Sequence, residues 1–357
     1  MVDVTVVSTP DDGSCGIGTY TGDLLSEMPE SITVNWVTVP LRSVNPLPYL
    51  FAAVRTGLTN DSTIHVQHEY GMYGPKSIYS FLFFPILFIL TSLRGRRVIV
   101  TFHSAWNEET IGPPMVGLKR VYVAVNNYLL AATADLAVFL SENTAATFQQ
   151  SVALDDVEVL PHGVQEDTSP MDQERAKELL GYEPDTMLAV EPGYIRREKG
   201  CDTFVEIARH IDDVQFLLAG GCQDADSYCE SVRDAAPENV RITGQLPDEQ
   251  FHAAFNAADV VVLPYREVTQ SGVFNWCVAY ELPVLGSDSK YFRSLETEWG
   301  CVETVNMDDA TVAACRLREL LDNDRQRDNL REGMTAYRNT ASMSSVAERH
   351  SELYKCA

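Results

Sequence analysis

The sequence predicts an α/β protein built from two doubly wound parallel sheets in series. Three observations carry that prediction. Short apolar, β-branched runs alternate with longer helix-patterned segments through the first half of the chain. A polar, turn-rich stretch from Pro161 to Gln173, opening on Pro-His-Gly, breaks the rhythm, and the same alternation restarts beyond it. With 357 residues, 45% of them hydrophobic, the chain can bury two ordinary cores, which excludes disorder, collagen and a small disulfide scaffold.

In the first half, strands are expected at Val2 to Ser8, Thr33 to Val39, Thr63 to Gln67, Val98 to Phe102, Leu136 to Leu140 and Val157 to Leu160. In the second half they fall at Leu188 to Glu191, Gln215 to Ala219, Val240 to Thr243, Val260 to Leu263 and Val284 to Gly286. Helical patterns fill the gaps, as at Thr203 to His210 and Asp248 to Ala258. Polar helices from Asp308 to Arg338 and a segment from Val346 to Tyr354 finish the chain. Two similar α/β domains in series make a cleft between them the expected ligand site.

Acidic residues outnumber basic ones 51 to 27, a formal charge of -24, which argues against a long nucleic-acid groove. Only six of the cations are lysines, and that balance suggests a salt-adapted protein whose self-repulsion is screened at molar salt. Eight cysteines form no CxxC pair or metal-ligand repeat and read as free thiols of a reducing compartment. The chain opens straight into a strand without a signal-like region, so a cytoplasmic location is expected. The run Ser77 to Leu93 has no charge and is followed by Arg94, Arg96 and Arg97. Seventeen residues with a central Pro85 are short for a span, leaving two readings open: a core helix, or a peripheral membrane contact through residues 77–97.

The chemistry-bearing signals sit in loops after strands. Glycines 13, 16 and 18 follow the first strand but do not spell GxGxxG, which disfavours a nicotinamide dinucleotide. What remains is a glycine loop before a helix N-terminus, suited to a phosphate or a sugar hydroxyl. The strongest local signal is Pro192-Gly193-Tyr194-Ile195-Arg196-Arg197-Glu198-Lys199-Gly200. Three cations within four positions at a strand end allow Arg196, through its planar fork, and Lys199, as a point charge, to clamp a diphosphate. No DxD element for a divalent ion stands out, and His65 and His68, three apart in a strand, point to opposite faces, so no metal site is expected.

The motifs GYIRREKGCDTFVEIA, LLAGG, NVRITGQLPDEQFHAAFNAADVVVLPYRE, QSGVFN and ELPVLGSD occur in that order. With GIGTY, VQHEYG, TFHSAWNEE and PHGV in the first half, the chain resembles glycosyltransferase family 4. The resemblance implies a GT-B architecture, two Rossmann-like domains facing a central cleft. It assigns 1–163 to an acceptor-side domain, 164–338 to a nucleotide-sugar-binding domain, and 339–357 to a C-terminal helix that packs back on the first. It implies a retaining, metal-independent hexosyltransferase with no cofactor, which uses a nucleotide-diphosphate sugar as co-substrate. The acceptor would be a glycan or a lipid-linked, dolichol-type carrier. The context would be surface glycan or protein N-glycosylation assembly, at the inner face of the membrane of a salt-adapted archaeon.

Carried onto this sequence, the resemblance makes His103, Arg196 and Lys199 the catalytic set. Gly16, Gly18, Ser271, Gly272 and Val273 would join Arg196 and Lys199 on the donor phosphates. Gly244, Gln245, Leu246, Glu267 and Asn275 would hold the nucleotide, and His68, Glu69 and Tyr70 would line the acceptor cleft. One departure matters: the family pattern has a second glutamate eight positions after the first, and here that position is Asn275. Glu281 also stands where the family prefers glycine. A nucleotide-sugar epimerase of GT-B fold and a non-catalytic sugar-nucleotide-binding member are the alternatives.

Overall fold

The computed structural model describes residues 2–13, 15–41, 43–107, 115–222 and 227–355. The chain divides into two compact units, Met1–Gly163 with Met343–Ala357, and Val164–Ser342. The first unit begins with β1 (Val2–Ser8), α1 (Gly16–Ser26), β2 (Ile32–Thr38), α2 (Leu47–Gly57), β3 (Thr63–His68) and α3 (Ser80–Arg94). It continues through β4 (Arg97–Phe102), α4 (Val116–Thr133), β5 (Leu136–Phe139), α5 (Glu142–Gln149) and β6 (Val157–Val159). All pairings are parallel, in the order β2-β1-β3-β4-β5-β6. The chain steps from β1 to one side and then to β3 on the other, so the carboxyl ends of β1 and β3 flank the topological switch point.

The second unit carries α6 (Gln173–Leu179), β7 (Leu188–Pro192), α7 (Cys201–Ala208), β8 (Gln215–Ala219), α8 (Ser227–Ala235), β9 (Val240–Ile242) and α9 (Asp248–Ala257). β10 (Val260–Leu263), α10 (Gly272–Ala279), β11 (Val284–Ser287), α11 (Lys290–Trp299), β12 (Glu303–Val305), α12 (Ala310–Asp322) and α13 (Asp324–Ala341) follow. Its parallel order, β12-β11-β10-β7-β8-β9, puts the switch point between β7 and β10. Two six-stranded parallel sheets covered by helices are the fold class the sequence pattern implies. One strand was not legible: β12 is Glu303-Thr304-Val305, with a single apolar residue, whereas the equally short β6 and β9 each carry two.

The last helix, α14 (Met343–Lys355), packs on the first unit. One sheet face there, with Val7, Val66, Val100 and Phe102, is covered by Tyr49 and Ala53 of α2, Phe83, Phe84 and Leu87 of α3, Leu130 of α4 and Phe148 of α5. The opposite face, with Val4, Val6, Ile99 and Val138, meets Tyr354 of α14. The uncharged run is thus half core: Phe83, Phe84, Leu87 and Thr91 of α3 are buried on one stripe, while Phe88, Ile89 and Leu93 are exposed on the other. Among the described residues no helix is long and apolar enough to cross a membrane.

The expectation of eight free thiols needs correction. Cys222 and Cys229 form a disulfide, their Cα atoms 6.1 Å apart, a span two cysteine side chains can bridge. A spacing of seven carries no recognisable signature, and only the fold brings the end of the β8 loop to the first turn of α8. Cys201, Cys277 and Cys301 are buried free thiols, and Cys356 lies outside the described residues.

Candidate functional site

In Val164–Ser342 the loops leaving β7, β8, β9 and β10 converge at the switch point. After β7 the chain passes Gly193 and Arg196 and makes one 3-10 turn, Arg197–Lys199, before Gly200. Gly200 has φ +71°, and a Cβ on it would stand 2.0 Å from the Pro264 carbonyl oxygen, so only glycine lets this loop press on the exit of β10. The amides of Arg266 and Glu267 both donate to the Glu198 carbonyl, at 2.9 and 3.5 Å. Lys199 is thereby turned inward, with Nζ 3.7 Å from the centroid of the Tyr265 ring. Burial pushes its ammonium down to about 8, against the opposing pull of Glu191 and Glu198. Arg196 stays more open, its side chain 42% exposed, Nη1 3.5 Å from Glu198 Oε1 and its guanidinium 5.9 Å from the Tyr194 ring.

The remaining donor-side candidates meet this loop through backbone. A side chain on Gly220 would overlap the Gly193 carbonyl, and one on Gly221 would stand 2.8 Å from the Gln245 amide nitrogen. The Gly244–Leu246 loop therefore adjoins the exits of β7 and β8. Gly193 in turn abuts Val273, a Cβ there lying 3.3 Å from Val273 Cγ2, which places the start of α10 in the same crevice. Ser271 caps α10 by accepting from the Phe274 amide at 3.1 Å, and its hydroxyl donates to Tyr265 Oη at 3.4 Å. The Gly272 and Val273 amides, as first-turn donors, have no intrahelical partner and point out of the helix end. The fold therefore brings Arg196, Lys199, Gly244, Gln245, Glu267 and Ser271 to Val273 together.

Two residues here escaped the sequence reading. Glu191, in the apolar strand β7, is 2% exposed. Its Oε1 accepts from the Cys201 thiol at 3.2 Å, and its Oε2 has no partner among the described residues. Burial pushes this carboxyl up to about 8, with the Cys201 bond and Lys199 pulling it back. Tyr265, fully enclosed, supplies the ring under Lys199. A charge inside an apolar strand was the available signal for Glu191; for Tyr265 there was none.

Asn275, at the position of the absent second glutamate, is buried in the second turn of α10. Its neighbour Trp276 lies edge-on to Phe251 and His252, with ring centroids 5.9 and 5.4 Å away. Glu281 adopts φ +54°, the left-handed region that favours glycine, and its carboxylate pairs with Arg338 at 2.7 Å.

In the first unit the candidates gather where β1, β3 and β4 end. His103 follows β4, its amide donating to the His68 carbonyl at 3.0 Å. Its buried ring sits 2.8 Å from the Gln67 side-chain oxygen, which accepts from Nε2–H. Gln67 donates to His65 Nε2 at 3.3 Å, and the Thr101 hydroxyl donates to the same nitrogen at 2.7 Å. His65 Nδ1–H then donates to Tyr354 Oη at 2.6 Å, and the two donors on Nε2 share its one lone pair. Burial, reinforced by neighbouring histidines, holds His103 and His65 well below the usual imidazole range, so both are neutral. Gly16 opens α1, and Gly18 packs under the Pro10 carbonyl. Tyr20 of the same helix lies edge-on to His103, centroids 5.0 Å apart. Gln67 and Tyr20 were not foreseen as partners of His103.

His68 lies inside an aromatic cage of Tyr70, Tyr73, Phe84 and Phe102, and burial pushes its imidazole down to about 3. It faces the opposite side of the sheet from His65, as a period of two requires. Glu69 accepts from the Tyr70 amide at 3.0 Å and the Ser104 hydroxyl at 2.8 Å, and burial raises its carboxyl. Tyr70 donates to Asn127 Oδ1 at 2.6 Å and stacks on Trp106, centroids 4.6 Å apart. Among the described residues no group of three or more His, Cys, Asp or Glu is placed to ligate a metal.

The fold is that of the GT-B glycosyltransferases. It resembles sucrose-phosphate synthase from Thermosynechococcus elongatus at a TM-score of 0.76 and 16% identity, covering 99% of this chain and 98% of that one. It resembles Anabaena Alr3699/HepE, solved with UDP and glucose, at a TM-score of 0.77 and 12% identity over all of both chains. Residues 188–323, within the second unit, match the family model of Glycosyl transferases group 1. A curated relative is alpha-galactosylglucosyldiacylglycerol synthase of Streptococcus pneumoniae (strain ATCC BAA-255 / R6), 23% identical over 133 residues. That match spans 35% of this chain and 35% of the relative.

Proposed function

We propose that the chain is a retaining glycosyltransferase of family 4 that moves a hexose-type sugar from a nucleotide-diphosphate donor to a lipid-linked or glycan acceptor. One observation carries the reading: Lys199 and the free-end amides of α10 share the switch point of the unit that holds the group 1 match. Negative charge grows on the leaving diphosphate as the anomeric C–O bond stretches. Losing one preorganised donor to such charge typically costs about 3 to 4 kcal/mol of barrier. Lys199, Arg196 and the Gly272 and Val273 amides supply that stabilisation, so the chemistry needs no metal ion. UDP is the favoured nucleotide, since the HepE structures hold UDP and UDP-glucose. A lipid-borne acceptor follows from the diacylglycerol glycolipid in the name of the pneumococcal relative.

Val164–Ser342 binds the donor and the first unit serves the acceptor. His103, neutral and fixed by Gln67, can accept a hydrogen bond from a sugar hydroxyl through Nδ1. A dolichol-type carrier, surface glycan or N-glycan assembly, and a salt-adapted archaeal source at the cytoplasmic membrane face complete the reading, motivated by the charge of -24 and six lysines. Asn275 supports one second reading, a sugar-nucleotide binder without turnover.

The test is transfer from UDP-, GDP- and dTDP-sugars to lipid-phosphate acceptors in high salt, preceded by a thermal-shift screen. A ligand at about 100 times its dissociation constant adds about 2.7 kcal/mol to stability. Arg196→Ala combined with Lys199→Ala should abolish turnover and leave the fold intact. Undiminished transfer by that double variant refutes the clamp; binding without turnover by the native chain selects the second reading.

A further inference from the structure

The outer surface of the first unit carries an apolar face that no described residue of the unit covers. α2, α3 and α4 lie side by side on one face of the sheet. Gly57 of α2 lets Leu90 of α3 approach so closely that a Cβ would stand 2.6 Å from it. Ser80 of α3 donates to Asn126 of α4 at 2.5 Å, and Phe81 packs on Tyr122 at 5.2 Å. Their inner stripes build the core, and their outer stripes do not revert to polar residues as a surface helix normally does. Phe51 is 67% exposed, Leu93 78%, Leu118 62%, Val121 60% and Tyr128 65%. Of the sixteen large hydrophobics exposed among the described residues, nine lie on these three helices, a concentration that the single scattered apolar residues of an ordinary surface do not show.

Charge says what covers it. Residues 40–133, which carry the patch, hold eight Lys and Arg against four Asp and Glu, a net +4 in a chain of -24. Arg55, Arg94, Lys119 and Arg120 are exposed on these helices, and Lys76 is exposed just before α3. Exposed apolar residues interspersed with cations, on a segment of net positive charge in an acidic protein, complement a surface with a hydrocarbon interior and anionic headgroups. A second copy of the chain fits less well, because a two-fold contact on this face would set the two sets of cations against each other.

We propose that the α2–α3–α4 face docks on an anionic lipid bilayer, apolar side chains entering the headgroup boundary and the five cations contacting lipid phosphate. This widens the expected contact at 77–97 to three helices. It rests on the reading that the acceptor is lipid-borne, but is tested apart from it.

The experiment is flotation of the full chain with vesicles of phosphatidylcholine alone or mixed with phosphatidylglycerol, at low and molar KCl. Binding is expected on the mixed vesicles, at least about tenfold tighter than on the neutral ones at low salt, with that preference narrowing in molar salt. Phe51→Ser with Leu93→Ser and Val121→Ser should lower partitioning at least about tenfold in both salts. Lys119→Glu with Arg120→Glu should remove only the preference for anionic lipid. All five positions are exposed, so melting temperature and UDP binding should be unchanged. The proposal is overturned if the native chain floats with neither vesicle, or if the triple serine variant partitions like the native chain. It is also overturned if sedimentation shows a dimer that the triple variant abolishes. Loss of flotation with intact sugar transfer sinks this inference alone; flotation without nucleotide binding sinks the transferase reading alone.

Discussion

Replacing Glu191 by glutamine should change how the stability of the second unit depends on pH, and the size of the change follows from the burial of the carboxyl. In the native fold the group is pushed from 4.5 up to about 8. The folded state therefore holds its proton more tightly than the unfolded chain does. Its stabilising contribution is complete below about 4.5 and is lost as pH rises through about 8. At about 1.4 kcal/mol per pH unit, roughly 3 kcal/mol disappears between pH 5.5 and 7.5. Lys199 has the opposite sign, its ammonium lowered from 10.5 to about 8, so it adds stability only as pH climbs through and beyond about 8. The window from 5.5 to 7.5 thus isolates Glu191. Glutamine keeps an oxygen for the Cys201 thiol and removes the titration. Native-state hydrogen exchange of the β7 and β8 amides at pH 5.5, 6.5 and 7.5 measures the local unfolding free energy in each protein. The wild-type value minus that of Glu191→Gln should fall by about 3 kcal/mol across the series. A difference that stays constant would mean that Glu191 is ionised throughout, and the account of β7 would fail.

Affinity for UDP should weaken as pH rises through about 8, because the bound diphosphate requires Lys199 as a cation; calorimetry in buffers of different ionisation enthalpy should show proton uptake there, and Lys199→Met should abolish it. Gly200→Ala combines a left-handed φ with a clash on the Pro264 carbonyl and should cost more than about 2 kcal/mol, read as a lowered melting temperature together with weakened UDP binding. Gln67→Leu strips the bonds that hold His103 and His65, with an expected stability loss of about 1 to 3 kcal/mol. Turnover should fall in that variant while UDP affinity is kept, and an unchanged turnover number would remove His103 from the reaction.

Much of the fold could be read along the chain because its signals are local. The run Val2 to Ser8 became β1 at those bounds, and Gln215 to Ala219 became β8. The two-residue period that separated His65 from His68 held, since successive side chains of any strand point to opposite faces. The left-handed backbone at Glu281 follows from the same logic, a helix end where glycine is the unstrained choice. β12 and the Cys222–Cys229 pair left no such trace. The first has a single apolar residue and so no apolar alternation, and the second depends on a loop closing back on α8.

The sequence by itself determined the order of the elements, the two parallel sheets and the loops that carry Arg196, Lys199 and Ser271, because periodicity, turn residues and helix starts act over a few neighbouring positions. Only the tertiary structure decided that Lys199 rests on Tyr265, that Glu191 keeps its proton, that His103 is buried, neutral and bonded to Gln67, and that the outer stripes of α2, α3 and α4 stay apolar where they are exposed. Desolvation and contact are set by whichever residues the fold brings alongside, and here those lie tens of positions away along the chain.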